Sequence, residues 1–318
     1  MKKITLGKTD LKTAPIVFGG NVFGWTLDKA ASFKILDEFI DLGFNMIDTA
    51  DVYSRWVQGN KGGESETIIG EWLKTRSASE DIIVATKVGS DMGQGEKDLS
   101  AKYILKAVED SLNRLGKETL DLYFTHWDDD ITPVDETMSA YAQLVKEGKV
   151  RYVGASNLSP ERLLASIESS KTHGFPKYQV FQPEYNLYDR EDYEKYYAAL
   201  VKEQELSVVS YYSLASGFLT GKYRNEADFD KSVRGNGAAK YLNEKGKTIL
   251  HMLDELSEAH NTTPAAVSLA WLIAQPHVTP IASATKSNHL KAFREAAELE
   301  LTRDDLNKLN ASNKEIVL

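Results

Sequence analysis

The stretch Asn45-Met46-Ile47-Asp48-Thr49-Ala50-Asp51-Val52-Tyr53 begins as an apolar strand and ends, within one short turn, in two acids and a tyrosine. Glu64–Lys74, with helical character, follows it, so the stretch opens a strand-then-helix unit. An aspartate directly after Met46-Ile47 is costly to bury unless a cation or a hydrogen-bond donor meets it. Asp48 could also cap the helix that begins near Glu64, or close a surface turn. The flanking sequence bears on both questions.

The same unit recurs on either side. Ahead of it lie a hairpin over Ile4–Pro15 around Gly7-Lys8-Thr9-Asp10, a strand Ile16–Gly20 and a helix Lys29–Leu42. Behind it come the strand Asp81–Val88, the helix Ser100–Leu115 with Ser100 as N-cap and Gly116 past its end, and the strand Leu120–Thr125. The helix Asp135–Lys146, the strand Val150–Ala155 and the helix Pro160–Ser170 (capped by Ser159) continue the series. The strand Tyr178–Gln182, the helix Asp189–Glu203 and the strand Ser207–Tyr212 follow, then the helix Pro264–Ala274 and the strand Val278–Ala282. The helix Ser287–Glu298 closes the alternation.

Eight strand–helix units in 318 residues point to an α/β protein, a (β/α)8 TIM barrel with an N-terminal hairpin. No G-x-G-x-x-G follows a strand, which argues against a Rossmann sheet. No compositional break marks a linker, so residues 1–318 read as one domain. Two insertions interrupt the rhythm: a Gly-rich loop Ala215–Tyr241 before an extra helix Asn243–His260, and a terminal helix Thr302–Asn313. Loops of that length are commonly lids or binding loops.

Composition narrows the function. The chain is 42% hydrophobic with a net charge of −9 and no dense basic run, so nucleic acid is not an expected partner. With no cysteine there is neither a disulfide nor a thiolate site. The N-terminus has no apolar signal-like core, and the apolar run Ala265–Ala274 is too short to span a bilayer. A soluble cytoplasmic protein without a membrane partner is expected. No His pair has metal-ligand spacing, no metal is expected, and Asp128-Asp129-Asp130 reads as a solvated loop.

In such a barrel the chemistry sits at the C-terminal strand ends. Those ends carry Gly19-Gly20-Asn21, Asp48 with Tyr53 beyond it, Lys87, His126-Trp127, Ser156-Asn157, Gln182, Tyr211 and Ser283. A phenol beside a lysine is expected to lose some of its pKa, and an aspartate would keep that lysine charged. With a histidine for a carbonyl oxygen, these groups could polarise and protonate a carbonyl, but a hydride must come from a cofactor. Tyr211 could lie against a nicotinamide, with Ser156, Asn157 and Gln182 around its carboxamide. The loop Ser213-Leu214-Ala215-Ser216-Gly217-Phe218-Leu219-Thr220-Gly221-Lys222 suits a pyrophosphate.

The chain resembles the aldo-keto reductases over essentially its whole length. The motifs are Ile47-Asp48-Thr49-Ala50-Asp51-Val52-Tyr53-Ser54, Ala85-Thr86-Lys87-Val88, Leu122-Tyr123-Phe124-Thr125-His126-Trp127 with Gly154-Ala155-Ser156-Asn157, and Leu219-Thr220-Gly221-Lys222-Tyr223. The resemblance implies that Tyr53 is the general acid, that Lys87 paired with Asp48 tunes it, and that His126 orients a carbonyl. It implies NADP(H), with Gly20, Asn21, Asp48, Ser156, Asn157, Gln182 and Tyr211 near the nicotinamide half. Ser213, Leu214, Gly217, Leu219, Gly221 and Lys222 would lie along the pyrophosphate, and Ser283, Thr285, Lys286 and His289 at the adenosine end. Lys286 would meet the 2′-phosphate.

Many relatives have glycine at Ser283 and Gln and Asn at His289 and Phe293, so the adenine pocket is altered. A small carbonyl or alcohol substrate is implied, in a pocket with Phe23, Trp25, Tyr53, Trp56, His126 and Trp127. Trp72 and Trp271 read as core. A regulatory subunit resembling the potassium-channel β subunits, and the same chemistry run as an alcohol or sugar dehydrogenase, are the alternatives. Oligomeric state is not legible.

Overall fold

The computed structural model describes residues 1–76 and 81–311. An antiparallel hairpin of β1 (Ile4–Thr5) and β2 (Lys12–Thr13) opens the chain. Eight parallel strands then close a barrel in the order β10-β3-β4-β5-β6-β7-β8-β9. These are β3 (Val17–Gly19), β4 (Met46–Asp48), β5 (Ile83–Val88), β6 (Leu120–Thr125), β7 (Val150–Ser156), β8 (Val180–Gln182), β9 (Ser207–Ser210) and β10 (Val278–Ala282). Between them run α1 (Lys29–Asp41), α2 (Glu64–Leu73), α3 (Ala101–Leu115), α4 (Val134–Lys146), α5 (Pro160–His173) and α6 (Ala198–Glu203). α7 (Glu244–Ala259) and α8 (Pro264–Ile273) precede β10, and α9 (Ser287–Glu298) and α10 (Arg303–Ala311) follow it. The expected end of that last helix, at Asn313, lies outside the described residues.

Alternation along the strands builds two layers of core. Val17, Met46, Ile83, Ala85, Leu122, Phe124, Val180, Val209 and Ile281 fill the barrel interior, while Phe18, Ile47, Val84, Tyr123, Val153 and Phe181 pack outward under the helices. Leu6 and Leu11 of the hairpin join the interior group, and the Gly7 amide donates to Ser207 Oγ at 2.7 Å. The hairpin thus plugs the N-terminal end and leaves the other end for a site. Inside, Phe124 lies so close to β7 that a Cβ at Gly154 would sit 2.4 Å from its ring, which requires glycine there.

Local signals account for the helix ends. Asp28, Ser100, Ser159, Asn243 and Thr263 each accept a backbone N–H in the first turn of the following helix. Helix α2 is different: its N-cap is Gly63 with no side-chain cap, so Asp48 does not cap it. Two expected elements also differ. Helix 189–203 contains a π turn at Tyr193–Tyr197, and the long loop is ordered as three 3-10 turns, Ala215–Thr220, Glu226–Lys231 and Gly235–Tyr241. Phe218, Leu219, Tyr223, Ala238 and Tyr241 are buried there, so apolar anchors at irregular spacing hold it. Trp72 and Trp271 are fully buried, as expected.

Candidate active site

Asp48 and Lys87 leave neighbouring strands at the C-terminal end of the barrel, where Asp48 on β4 pairs in register with Ala85 on β5. Lys87 Nζ donates to Asp48 Oδ2 at 2.7 Å, to the Thr49 carbonyl at 2.6 Å and to Tyr53 OH at 3.1 Å. All three ammonium protons are thereby used, on a side chain with no solvent exposure. Asp48 Oδ1 accepts from Gln182 Nε2 at 2.8 Å, so both carboxylate oxygens are satisfied from different strands.

The electrostatics follow from that geometry. Burial alone would lower Lys87, but the Asp48 carboxylate and Tyr53 outweigh it and hold the ammonium above its usual pKa. Burial lifts Asp48, opposed by Lys87 and Gln182. The expectation that Lys87 would depress the Tyr53 pKa is corrected. Burial raises it and, with the Asp48 charge, outweighs the pull of Lys87, so the phenol keeps its proton through the neutral range. His126 is pushed well below its ordinary value by burial and by Lys87, which leaves a neutral imidazole. Its Nδ1 lies 2.9 Å from Ser90 Oγ.

The second half of the rim is preorganised. Ser156 Oγ donates to the Gln182 carbonyl at 2.8 Å. Asn157 Nδ2 donates to the His126 carbonyl at 3.0 Å, and its Oδ1 accepts from Tyr211 OH at 2.7 Å. Tyr211 and Tyr212 both reach the cavity wall, but Tyr211 alone of the two has its hydroxyl fixed on Asn157, while Tyr212 is 54% exposed.

A cavity of about 1070 Å³ opens here, at the upper end of the range for small-molecule sites. It is lined by Asn21, Asp48, Tyr53, His126, Ser156, Asn157, Gln182 and Tyr211 from the strand ends, and by Trp25, Trp56 and Trp127. Ser213, Leu214, Gly217 and Lys222 line it from the loop, and Ser283, Thr285, Lys286 and His289 from beyond β10.

Five expected residues do not reach the wall, and one of them, Lys87, lies fully buried beneath it behind Asp48 and Tyr53. Gly20 turns away because strand alternation aims Gly19 inward instead, where a Cβ would meet Ser283 Oγ at 2.5 Å. Phe23 is fully buried and stacks on Phe18 at 5.3 Å. Leu219 points into the core beside α8, where Ser268 Oγ bonds its carbonyl. Gly221 is the left-handed cap of the first 3-10 turn.

Other residues escaped the sequence reading. Ser90 stands just past β5, and Arg234 sits in the long loop with its guanidinium 5.1 Å from the Trp25 ring centre. With the Asn21 amide turned so that its nitrogen faces Ser283 Oγ at 2.8 Å, its oxygen accepts from Arg234 at 3.2 Å. Asp51 is buried with neither side-chain carboxylate oxygen hydrogen-bonded. Burial and the neighbouring Glu66 push its carboxyl well up, because Glu66 already holds Arg114 Nε at 2.7 Å. Its backbone N–H ties the Tyr53 loop to the Lys87 carbonyl at 3.2 Å.

Among the described residues no group of three or more His, Cys, Asp or Glu side chains is arranged to hold a metal. The acidic run is structural: Asp128 pairs with Arg162 at 2.9 Å, and Asp129 accepts from the Leu99 and Thr132 amides.

The family described as the aldo/keto reductase family matches residues 15–314. The chain belongs to the aldo/keto reductases. Membership makes it an oxidoreductase. It is 32% identical to the oxidoreductase YqkF of Bacillus subtilis, over 99% of this chain and 97% of that protein. It is 30% identical to the L-glyceraldehyde 3-phosphate reductase of Escherichia coli, over 98% of this chain and 89% of that one. Aldo-keto reductase str7 of Strobilurus tenacellus is 33% identical over 86% of this chain and 78% of its own length.

Beside this rim, the Glu184 backbone pairs with that of Tyr211, and its side chain faces Asp189 across a shared cation, with Lys240 Nζ 3.8 Å from a carboxylate oxygen of each. Tyr241 OH donates to Asp189 at 2.7 Å, and Glu184 Oε1 is buried without a hydrogen bond. Burial and then Asp189 push Glu184 up to about 7, against the pull of Lys240. A folded-state pKa above the ordinary 4.5 means that the folded form binds the extra proton, so its stabilisation is lost as pH rises through about 7. Glu184→Gln is expected to flatten this slope. Melting temperatures at pH values either side of that window would differ less in the variant, by about 2 °C or more. An unchanged slope would refute the assignment.

Proposed function

We propose that the chain is an NADPH-dependent carbonyl reductase in which Tyr53 is the proton donor. The observation that carries this is the triple bond set of Lys87, which joins Asp48, Thr49 and Tyr53 at the floor of the cavity. A protonated phenol backed by a fixed ammonium can give its proton to a carbonyl oxygen, and the ammonium then stabilises the phenolate left behind. That Tyr53 holds its proton through neutral pH favours the reductive direction over the dehydrogenase reading. Ser90 Oγ lies 2.9 Å from His126 Nδ1, and in the tautomer in which the hydroxyl donates to Nδ1 the imidazole proton is on Nε2, free for the same carbonyl oxygen. The Lys87–Asp48 pair keeps its geometry throughout because its partners come from rigid strand ends.

The cavity fits a nicotinamide dinucleotide. Lys222, Arg234 and Lys286 line it, and among the described residues none of the three pairs with a carboxylate, although the chain as a whole is acidic. Lys222 and Lys286 both act on the His289 imidazole, lowering its pKa after burial has done so, which places two cations around one point of the wall. That donor set suits phosphates, with Lys286 toward a 2′-phosphate. Ser156, Asn157, Gln182 and Tyr211 would hold the nicotinamide end. NADPH, when bound, supplies the hydride that the protein cannot.

The test is turnover of a panel of aldehydes and ketones, followed by loss of reduced nicotinamide absorbance, with NADPH beside NADH. NADPH is expected to give the higher kcat/KM by tenfold or more, the scale of one well-placed charge contact. Tight NADPH binding with no carbonyl turned over would replace this reading by the regulatory one.

A further inference from the structure

Resting on that reading, we infer that Ser90 is a positioning residue: its hydroxyl donates to His126 Nδ1 and so fixes the imidazole as a donor, through Nε2, to the substrate's carbonyl oxygen. The backbone builds this contact from both sides. The His126 amide donates to the Val88 carbonyl at 2.8 Å, which carries the β5–β6 ladder one residue past the end of β6. The chain then turns at Gly89, where φ is +104° and a Cβ would sit 2.6 Å from Leu99 Cδ2, so glycine serves the turn that delivers Ser90 to the imidazole. Beyond it, Asp91 Oδ1 accepts from the Gly93 and Gly95 amides at 2.7 and 3.0 Å, and Gln94 Nε2 donates to the Ser90 carbonyl at 3.2 Å. Ser90 Oγ is thus held 2.9 Å from Nδ1, with both residues buried.

Hydrogen-bond accounting decides which atom gives the proton. A serine hydroxyl has one proton to donate, and a neutral imidazole has one N–H and one bare nitrogen. Among the described residues, His126 Nδ1 is the partner of Ser90 Oγ and no second acceptor reaches it. If Nδ1 carried the hydrogen, Ser90 would accept, and its own proton would be buried without an acceptor, which is the costly arrangement. If Ser90 donates, its proton and the Nδ1 lone pair are both satisfied, and the imidazole hydrogen lies on Nε2. The imidazolium, which would also put a hydrogen on Nδ1, is opposed by burial and by Lys87.

The direction of this bond matters at the other nitrogen. His126 lines the cavity, and its ring centre lies 6.0 Å from that of Tyr53, so the phenol and the imidazole can meet one oxygen between them. A carbonyl oxygen offers only lone pairs, which an Nε2–H attracts and a bare Nε2 would repel. His126 then lends a hydrogen bond and keeps its proton, while the proton that moves is the one on Tyr53. Ser90 is not on the cavity wall, so it acts through the imidazole alone.

The experiment reads the ring nitrogens directly. The full chain is labelled with ¹⁵N-histidine, and His126 is assigned among the 6 histidines by the signals lost in His126→Gln. At neutral pH His126 is expected to show a bare Nδ1 and a protonated Nε2. Ser90→Ala is expected to draw the two ¹⁵N shifts toward each other as the second tautomer enters. With propanal and saturating NADPH, Ser90→Ala should lower kcat/KM about tenfold, the scale of one hydrogen bond, while the Kd for NADPH stays unchanged. Ser90→Thr keeps the hydroxyl and should restore most of that loss. A proton on Nδ1 in the full chain, or shifts in Ser90→Ala that match those of the full chain, would overturn the inference and leave the reductase reading standing. Absence of turnover with every carbonyl would instead remove the reductase reading, while the tautomer, measured in the resting protein, is decided independently of it.

Discussion

Tyr53→Phe is expected to lower carbonyl reduction by about 10²- to 10⁴-fold, the usual contribution of a positioned general acid, while NADPH still binds. The variant removes one oxygen and nothing else. Lys87 keeps its bonds to Asp48 and to the Thr49 carbonyl, so the floor of the cavity has no reason to rearrange. The phenylalanine ring can keep the edge contacts that Tyr53 makes with Trp56 and His126. Loss of a single hydrogen bond costs about 1 kcal/mol, so the melting temperature should move by only a few degrees. Single-turnover rates, fluorescence titration with NADPH and thermal melts together separate the outcomes. Retention of more than a tenth of the wild-type rate would dismiss Tyr53 as the donor.

The pH profile adds a second check on the same residue. The reduction needs the protonated phenol, and burial holds the Tyr53 pKa above its ordinary 10. The rate should therefore hold through the neutral range on this account and fall only in strong alkali.

How far the sequence could be read depended on whether a residue's place follows from strand geometry. Asp48 and Gln182 end strands, Lys87 is one residue from the end of β5 and His126 one residue past β6, and parallel register brings such positions to one rim whatever the rest of the chain does. Gly20 was misplaced because a side-chain period of two makes a one-residue error in the strand end a complete reversal of direction. Phe23 and Leu219 were misread because their segments form tight 3-10 turns, in which aromatic and aliphatic residues near a site can face the core. Arg234 lies in a loop held by Phe218, Tyr223 and Tyr241 at spacings that match neither helix nor strand, so nothing in the pattern fixes its direction. Asp51 is the instructive case. Three residues from Asp48 in the same turn, it was indistinguishable from a solvated turn acid until the packing of Glu66 and Arg114 behind it was known.

Lys87→Met is expected to be the most damaging single change to the fold's stability at this site. Methionine fills the volume, but the Asp48 carboxylate then keeps only Gln182 as a partner in a place without solvent. Breaking a buried pair from one side typically costs about 3–5 kcal/mol, because an uncompensated charge remains. The cost should depend on pH with a definite sign. Without the ammonium, the burial that already lifts Asp48 acts unopposed by its nearest cation, and the folded-state pKa rises further. A raised carboxyl pKa stabilises the fold below the unfolded value and is lost as pH rises, so Lys87→Met should recover stability in mild acid relative to neutral solution. Asp48→Asn in the same chain removes the stranded charge, and the double variant should regain most of the loss at neutral pH while remaining inactive. Urea unfolding of the four members of this cycle, at neutral and at mildly acidic pH, measures the coupling directly. Equal urea midpoints for Lys87→Met and wild type would mean that Asp48 is not an ionised partner in the folded protein. The role of the pair in supporting Tyr53 would then have to be given up along with it.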